Sequence, residues 1–257
     1  VKQVQVGDTR LEYVRLPSAH PRGGAPAIVF LHEGLGSVAM WRDFPQKVAD
    51  ATGCEAVVYS RAGYGRSGPA RLPRDTRYMH DEGLHVLPAL LAALGLEHPI
   101  LFGHSDGASI ALICAGGTAT PLTAVIVMAP HVIVEDISVS SIAQAKVAWQ
   151  TTDLRTRLAK HHADVDAAFR GWNDIWLHPD FRAWNIEEYV PRILCPVLAI
   201  QGEDDEYGTM AQIERIAAQA PDVELVKLAD CRHSPHKDQP AAVIDAVGEF
   251  VSRILED

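Results

Sequence analysis

Short runs of consecutive apolar residues recur along the chain, each the length of one buried strand. They fall at residues 27–31, 56–59, 100–102, 124–128, 197–200 and 223–228. They are rich in Val, Ile and Leu and do not alternate apolar with polar, which is how strands covered on both faces read. Between most of them lie helix-length segments at 38–51, 76–94, 105–115 and 210–220. In the second of these, Leu84, Leu87, Leu90, Leu91 and Leu94 stand at helical spacing. The chain closes at 241–255 with Val243, Ile244, Val247, Phe250, Val251 and Ile254 on one stripe. Strand–helix alternation predicts an α/β fold with a mostly parallel central sheet and helices on both faces. Residues 4–6 and 11–16, around Gly7-Asp8, read as an antiparallel hairpin at the start.

One stretch breaks the alternation. From 131 to 190 no strand is expected, and 142–150, 154–162 and 165–176 read as short helices. This block holds four of the five tryptophans, Trp149, Trp172, Trp176 and Trp184, together with Phe169, Phe181 and Tyr189. A helical insertion enriched in aromatics predicts a cap over a site, within one domain that spans 1–257. The same rings equally suit gluing a cap to a sheet.

Composition narrows the function classes. At 257 residues, 47% apolar and 22% charged, the chain fits one large globular domain that needs no disulfide or metal staple. The formal charge of −10 argues against nucleic acid as a partner, since phosphate binding needs a basic face. No apolar run approaches the roughly 18 residues of a membrane span. Val1-Lys2-Gln3-Val4 opens without the apolar stretch of a signal peptide, and a cytoplasmic location is expected. Cys54, Cys114, Cys195 and Cys231 form no C-x-x-C pair and read as buried free thiols. Neither His161-His162 nor His233 with His236 has ligand spacing to a further Cys or carboxylate, so no metal and no cofactor is expected. The sequence carries no signal of oligomeric state.

The strongest local signal is Gly103-His104-Ser105-Asp106-Gly107, between the strand at 100–102 and an Ala- and Ile-rich helix. A serine at a sharp strand-to-helix turn is held in a strained backbone with its hydroxyl exposed. The residues two before and two after it must be tiny, because the backbone folds close upon itself. Ser105 is therefore the candidate nucleophile. A serine hydroxyl needs a base to take its proton. His233 follows the last strand, in a loop at the edge where α/β sheets place their sites. His104, His32 and His236 are the weaker alternatives. The imidazole needs a carboxylate, and Glu203-Asp204-Asp205-Glu206 follows the strand at 197–200, with Asp230 and Asp136 as outsiders. Oxyanion donors are expected from the Asp106 N–H and from His32-Glu33-Gly34-Leu35-Gly36-Ser37 after the first buried strand.

With these motifs in place, the chain resembles the α/β-hydrolase superfamily over about 27–255. Arg61-Ala62-Gly63-Tyr64-Gly65-Arg66-Ser67 is similar to its R-G-x-G-x-S loop, and His233-Ser234-Pro235-His236-Lys237-Asp238-Gln239-Pro240 to its H-x-P-x-x-x-x-P ending. The block at 131–190 occupies the usual place of the cap. The order Ser105, Asp205, His233 matches the family order of nucleophile, acid and base. The family pattern Gly-x-x-Asp falls on Gly202-Glu203-Asp204-Asp205 and so implies Asp205 as the acid. Matching His32 and Gly36-Ser37 implies Gly34 as the second oxyanion donor, with Leu35 as the alternative.

Two departures stand out. Glu33 replaces the family's usual Gly, and pairing with Arg61 or lining the pocket are its two expected roles. Arg232 precedes the histidine where Gly is common. Substrate contacts are expected from His32, Glu33, Leu35 and His104, and from Trp149, Trp172 and Trp176 of the cap. A Ser elbow disfavours the activities that use an Asp nucleophile. The resemblance implies hydrolysis of a small-molecule carboxylic ester, thioester or lactone. A C–C bond hydrolase of aromatic-ring-cleavage products, a cofactor-free perhydrolase and a non-catalytic receptor are the alternatives.

Overall fold

Eight strands form one sheet in the computed structural model, which describes residues 1–256. They are β1 (Lys2–Val6), β2 (Thr9–Leu16), β3 (Ile28–Leu31), β4 (Ala56–Tyr59), β5 (Ile100–His104), β6 (Ala124–Met128), β7 (Val197–Gly202) and β8 (Val223–Leu228). Their order across the sheet is β1-β2-β4-β3-β5-β6-β7-β8. The opening hairpin pairs antiparallel onto β4, and every pairing from β4 to β8 is parallel. Because side chains alternate along a strand, the central strands feed two cores. Val29, Leu31, Val57, Leu101, Val125 and Val127 belong to one, and Ile28, Phe30, Val58, Ile100, Phe102 and Ile126 to the other.

The helices are α1 (Phe44–Thr52), α2 (Tyr78–Asp81), α3 (Leu87–Ala93), α4 (Asp106–Gly117), α5 (Asp136–Thr151), α6 (Leu154–Leu158), α7 (Val165–Trp176), α8 (Ala211–Ala217), α9 (Pro235–Asp238) and α10 (Pro240–Glu256). Two predicted helices are interrupted, each for a local reason. The segment at 38–51 divides into a 3-10 turn, Val38–Trp41, and α1, because Arg42 between them takes a left-handed φ of 55°. The segment at 76–94 keeps its helical course but widens into a π-turn at Glu82–Val86. Pro88 offers no N–H to the preceding turn, and a wider turn relieves the ring's clash there.

The segment between β6 and β7 forms no strand, only an isolated bridge between Ile133 and Asn185. Its first helix starts six residues before the predicted 142. The Ser138 and Ser141 hydroxyls donate to the Tyr207 and Glu206 carbonyls, so tertiary contacts carry the helix through a polar start. The helix at 154–162 is correspondingly shorter, ending at Leu158. All four cysteines are free. No helix of the described residues is long and apolar enough to cross a membrane.

The core beneath β5 is aromatic. The Phe102 ring stacks on Phe30 at 4.8 Å and meets Phe44 and Trp41 edge-on at 5.8 and 6.2 Å. Truncating Phe102 to Ala leaves a cavity that three rings cannot fill, at a cost of about 3–5 kcal/mol. Urea unfolding of Phe102→Ala is expected to show a lower midpoint with an unchanged slope. A loss under about 1 kcal/mol would show that this cluster is not a packing centre.

Candidate active site

Parallel strands deliver their following loops to one edge. Ser105 stands after β5, Asp205 after β7, His233 after β8, and residues 32–37 after β3. Chain order reverses around β3, which has β4 on one side and β5 on the other, and such a switch point opens a crevice. Ser105 occupies the turn with φ 54° and ψ −119°. A Cβ on Gly103 would lie 2.4 Å from Ala108 Cα, and one on Gly107 would lie 2.1 Å from the Leu31 carbonyl oxygen. Only glycine fits at either position.

The three separated loops converge. His233 Nε2 is 3.0 Å from Ser105 Oγ, and His233 Nδ1 is 2.8 and 3.0 Å from the two Asp205 oxygens. A carboxylate only accepts, so Nδ1 carries the proton and Nε2 presents its lone pair to the Ser105 hydroxyl. Asp205 Oδ1 also accepts from the Tyr207 N–H at 2.8 Å, and Oδ2 from Gln201 Nε2 at 3.2 Å. Burial pushes the Asp205 pKa up, but the His233 imidazole, its hydrogen bond and that of the Tyr207 N–H outweigh it and hold the carboxyl below its ordinary value. The neighbouring acids part company. Glu203 and Asp204 are exposed. Glu206 accepts the His233 backbone N–H at 3.1 Å and pairs with Arg232 at 3.1 Å, which gives Arg232 a role in bracing that loop. Asp136 pairs with Arg182 on the surface, and Asp230 takes a left-handed φ of 51° in the loop before His233.

A cavity of roughly 190 Å³ opens over Ser105. Glu33, Gly34, Leu35, His104, Asp106, Trp172 and Trp176 lie on its wall, as does His233. Among the described residues, neither the Gly34 N–H nor the Asp106 N–H has a backbone acceptor. Trp172 stands over Gly34, since a Cβ there would lie 2.2 Å from Trp172 Nε1. His104 donates from Nε2 to the His233 carbonyl at 2.7 Å, so it holds the histidine loop as well as facing the cavity.

Two expected pocket residues lie elsewhere. Trp149 is off the cavity because its indole stacks on Phe169 at 4.0 Å, within the cap. His32 is buried behind the loop, where Nε2 accepts the Arg61 N–H at 3.0 Å and Nδ1 donates to the Glu33 carbonyl at 2.6 Å. Of the two roles expected for Glu33, lining the pocket is the one observed. Its carboxylate lies 3.6 Å from His104 Nδ1 and 3.9 Å from Lys237 Nζ, and not against Arg61. The sequence reading missed His131, Ile142 and Tyr207 on the cavity wall. Tyr207 had a local signal, being two residues after Asp205, whereas His131 and Ile142 reach the site only through the cap's path. No group of three metal-ligating side chains occurs among the described residues.

Histidines surround the site in neutral-favouring places. Burial, then the charge of His233, pushes His131 down to about 4; burial, then His104, pushes His236 down to about 2. A base whose folded pKa lies below its unfolded value binds its proton in the unfolded chain first. Stability is then complete above about pH 6.5 and falls as pH drops, until the folded group titrates in turn. Urea midpoints are expected to fall between pH 7 and about 4.5, before most carboxylates protonate. His236 packs on the rings of Trp41 and Phe44, so His236→Phe should flatten that slope. A midpoint independent of pH over this window would contradict the assignment.

The model of the Alpha/beta hydrolase family matches residues 28–246, from β3 into α10, and so takes in every loop of the site. The chain is 25% identical over 254 residues to N-formylmaleamate deformylase of Pseudomonas putida, covering 91% of both chains. It is 23% identical over 240 residues to a monoglyceride lipase homolog of Monkeypox virus, covering 86% of this chain and 85% of the other. Among solved structures, the enol-lactonase of Burkholderia xenovorans superimposes with a TM-score of 0.74 at 20% identity over the whole of both chains. The meta-cleavage product hydrolase of Pseudomonas fluorescens gives 0.74 at 15% identity over 98% of each. These likenesses in fold agree with the family match, and the chain belongs to the alpha/beta hydrolase family.

Proposed function

We propose that the protein is a serine hydrolase that cleaves a small-molecule carboxylic ester, thioester or lactone through an acyl-enzyme. The observation that carries this reading is the line of hydrogen-bonding groups from Ser105 Oγ through His233 to Asp205, at 3.0 and 2.8 Å, on the floor of a cavity. In the reaction, Ser105 Oγ attacks the carbonyl carbon as its proton passes to His233 Nε2. Asp205 stabilises the resulting imidazolium. The N–H groups of Asp106 and Gly34 receive the charge that develops on the carbonyl oxygen; one such donor typically contributes about 10²–10³ in kcat. The leaving oxygen or sulfur takes the proton from His233. Water, deprotonated by the same imidazole, then releases the acid and restores Ser105.

The cavity wall favours neutral acyl groups. It carries the Glu33 and Glu206 carboxylates and, among the described residues, no Lys or Arg. A substrate with several carboxylates of its own would meet these two carboxylates, and the nearest cations, Lys237 at 3.9 Å from Glu33 and Arg232 at 3.1 Å from Glu206, are already paired with them. This weighs against the ring-cleavage C–C reading wherever its substrates are acidic.

Labelling with a fluorophosphonate is expected to modify wild type and not Ser105→Ala. Ester turnover in that variant should fall by about 10⁴ or more. Asp205→Asn should cost up to about 10⁴ in kcat through the wrong imidazole tautomer, and Asp204→Asn less than about threefold, as an exposed carboxylate contributes little. A larger loss in Asp204→Asn would overturn the assignment of the acid. Trp172, Trp176 and Ile142 put bulky side chains on the cavity wall, so activity across p-nitrophenyl esters should peak at short acyl chains. A steady rise from acetyl to palmitoyl would contradict that shape.

A further inference from the structure

Arg61 is wholly buried, and no step of the proposed reaction uses it. It stands in the loop after β4, where burial works against its charge while Tyr64, Asp106 and Glu82 favour it and keep the guanidinium protonated. A buried cation is costly unless its surroundings compensate it, and what compensates this one is informative. Nη2 donates to the Glu33 carbonyl at 2.9 Å and to the His32 carbonyl at 3.3 Å. Nη1 lies 3.7 Å from Asp106 Oδ2. The ring of Tyr64 lies under the guanidinium at 5.0 Å.

These contacts address Gly34 and Asp106, the two cavity-lining residues whose N–H groups are the proposed oxyanion donors. The Glu33 carbonyl belongs to the same peptide unit as the Gly34 N–H. It accepts from three donors at once: Arg61 Nη2 at 2.9 Å, His32 Nδ1 at 2.6 Å and the Gly36 N–H at 3.1 Å. Arg61 also fixes the His32 tautomer, because its own N–H donates to His32 Nε2. A peptide whose oxygen is so engaged is polarised, strengthens as a donor at its nitrogen, and cannot rotate. On the other side, the Asp106 carboxylate is buried beside its own N–H and would repel an oxyanion. Tyr78 Oη donates to Oδ2 at 2.8 Å and Trp176 Nε1 to Oδ1 at 3.3 Å, and Arg61 supplies the countercharge.

We propose that Arg61 is the positioning residue of the oxyanion site: one guanidinium orients and polarises the Gly34 N–H through the Glu33 carbonyl and cancels the Asp106 charge next to the second donor. The proposal rests on the acyl-enzyme reading above. It differs from a packing role in what it predicts, since only stabilisation of the developing oxyanion should suffer.

The test uses Arg61→Lys, which keeps a charge but cannot span both partners, and the double variant Arg61→Met/Asp106→Asn, which leaves no unpaired buried charge and keeps the assay open if the single change unfolds. The substrate is p-nitrophenyl acetate, and the probe is 1,1,1-trifluoropentan-2-one. Addition of Ser105 Oγ to the probe's carbonyl sends the hydroxyl proton to His233 and places an oxyanion at the same donors. Wild type must turn over the ester and label with a fluorophosphonate; failure there removes the acyl-enzyme reading and this inference with it. Given that activity, both variants should lose about 100-fold in kcat with KM changed less than about threefold. Affinity for the trifluoromethyl ketone should weaken by a similar factor. Folded variants that keep kcat within threefold, or that lose kcat without losing affinity for the ketone, overturn the proposal.

Discussion

The site depends on a close approach of backbone to backbone. The start of α4 lies so near the end of β3 that a single methyl on Gly107 would overlap the Leu31 carbonyl oxygen, and Gly103 is pressed against Ala108 in the same way. That contact forces Ser105 into a left-handed conformation, which costs free energy at a residue with a Cβ. The strain persists because the surrounding sheet over-determines it: the Ser105 N–H is held by the Met128 carbonyl at 3.0 Å, and Ser109 Oγ donates to the His131 carbonyl at 2.6 Å. The second such contact is at Gly202, where a Cβ would lie 2.1 Å from the Cys231 carbonyl oxygen. It brings the loops that carry Asp205 and His233 together. Hydroxyl, imidazole and carboxylate therefore meet because three glycines let three loops touch.

Much of this was legible in the sequence, because it is local. Apolar runs marked the six parallel strands to within two residues at their ends, and the elbow motif, the acidic tetrad and the histidine loop each announced themselves within a few positions. The gly-rich spacing after β3 likewise pointed to the loop beside the elbow. What could not be read is what depends on distant partners. His32 and Glu33 are adjacent, yet one turns inward to Arg61 and the other faces the cavity. Trp149 and Trp172 look alike in a cap sequence, and only the fold decides that Phe169 takes one and Gly34 the other. His162, half of a histidine pair that invited a metal reading, instead accepts the Gly65 N–H and donates to the Leu35 carbonyl, each at 3.0 Å.

That last pair of hydrogen bonds shows that the segment between β6 and β7 also braces the loops beneath it. His162 ties the cap to the loop after β3, and Trp176, at the end of α7, reaches the Asp106 carboxylate. The roof thus rests on the two segments that bear the candidate oxyanion donors. Acidic surroundings on the cavity wall are balanced from behind by Arg61, Arg232 and Lys237, so the charges that shape the pocket are set by residues outside it.

The two ends of the cap meet. The Ile186 N–H donates to the Val132 carbonyl at 2.9 Å, next to the Ile133–Asn185 bridge, so the insertion leaves and rejoins the sheet through one clasp. A segment closed at its base can change length with only a logarithmic entropic penalty. Strands β6 and β7 register with each other below the clasp. The insertion between Val132 and Ile186 is for this reason a loop with fixed ends, and length added within it would leave the pairing of β6 with β7 below the clasp in place.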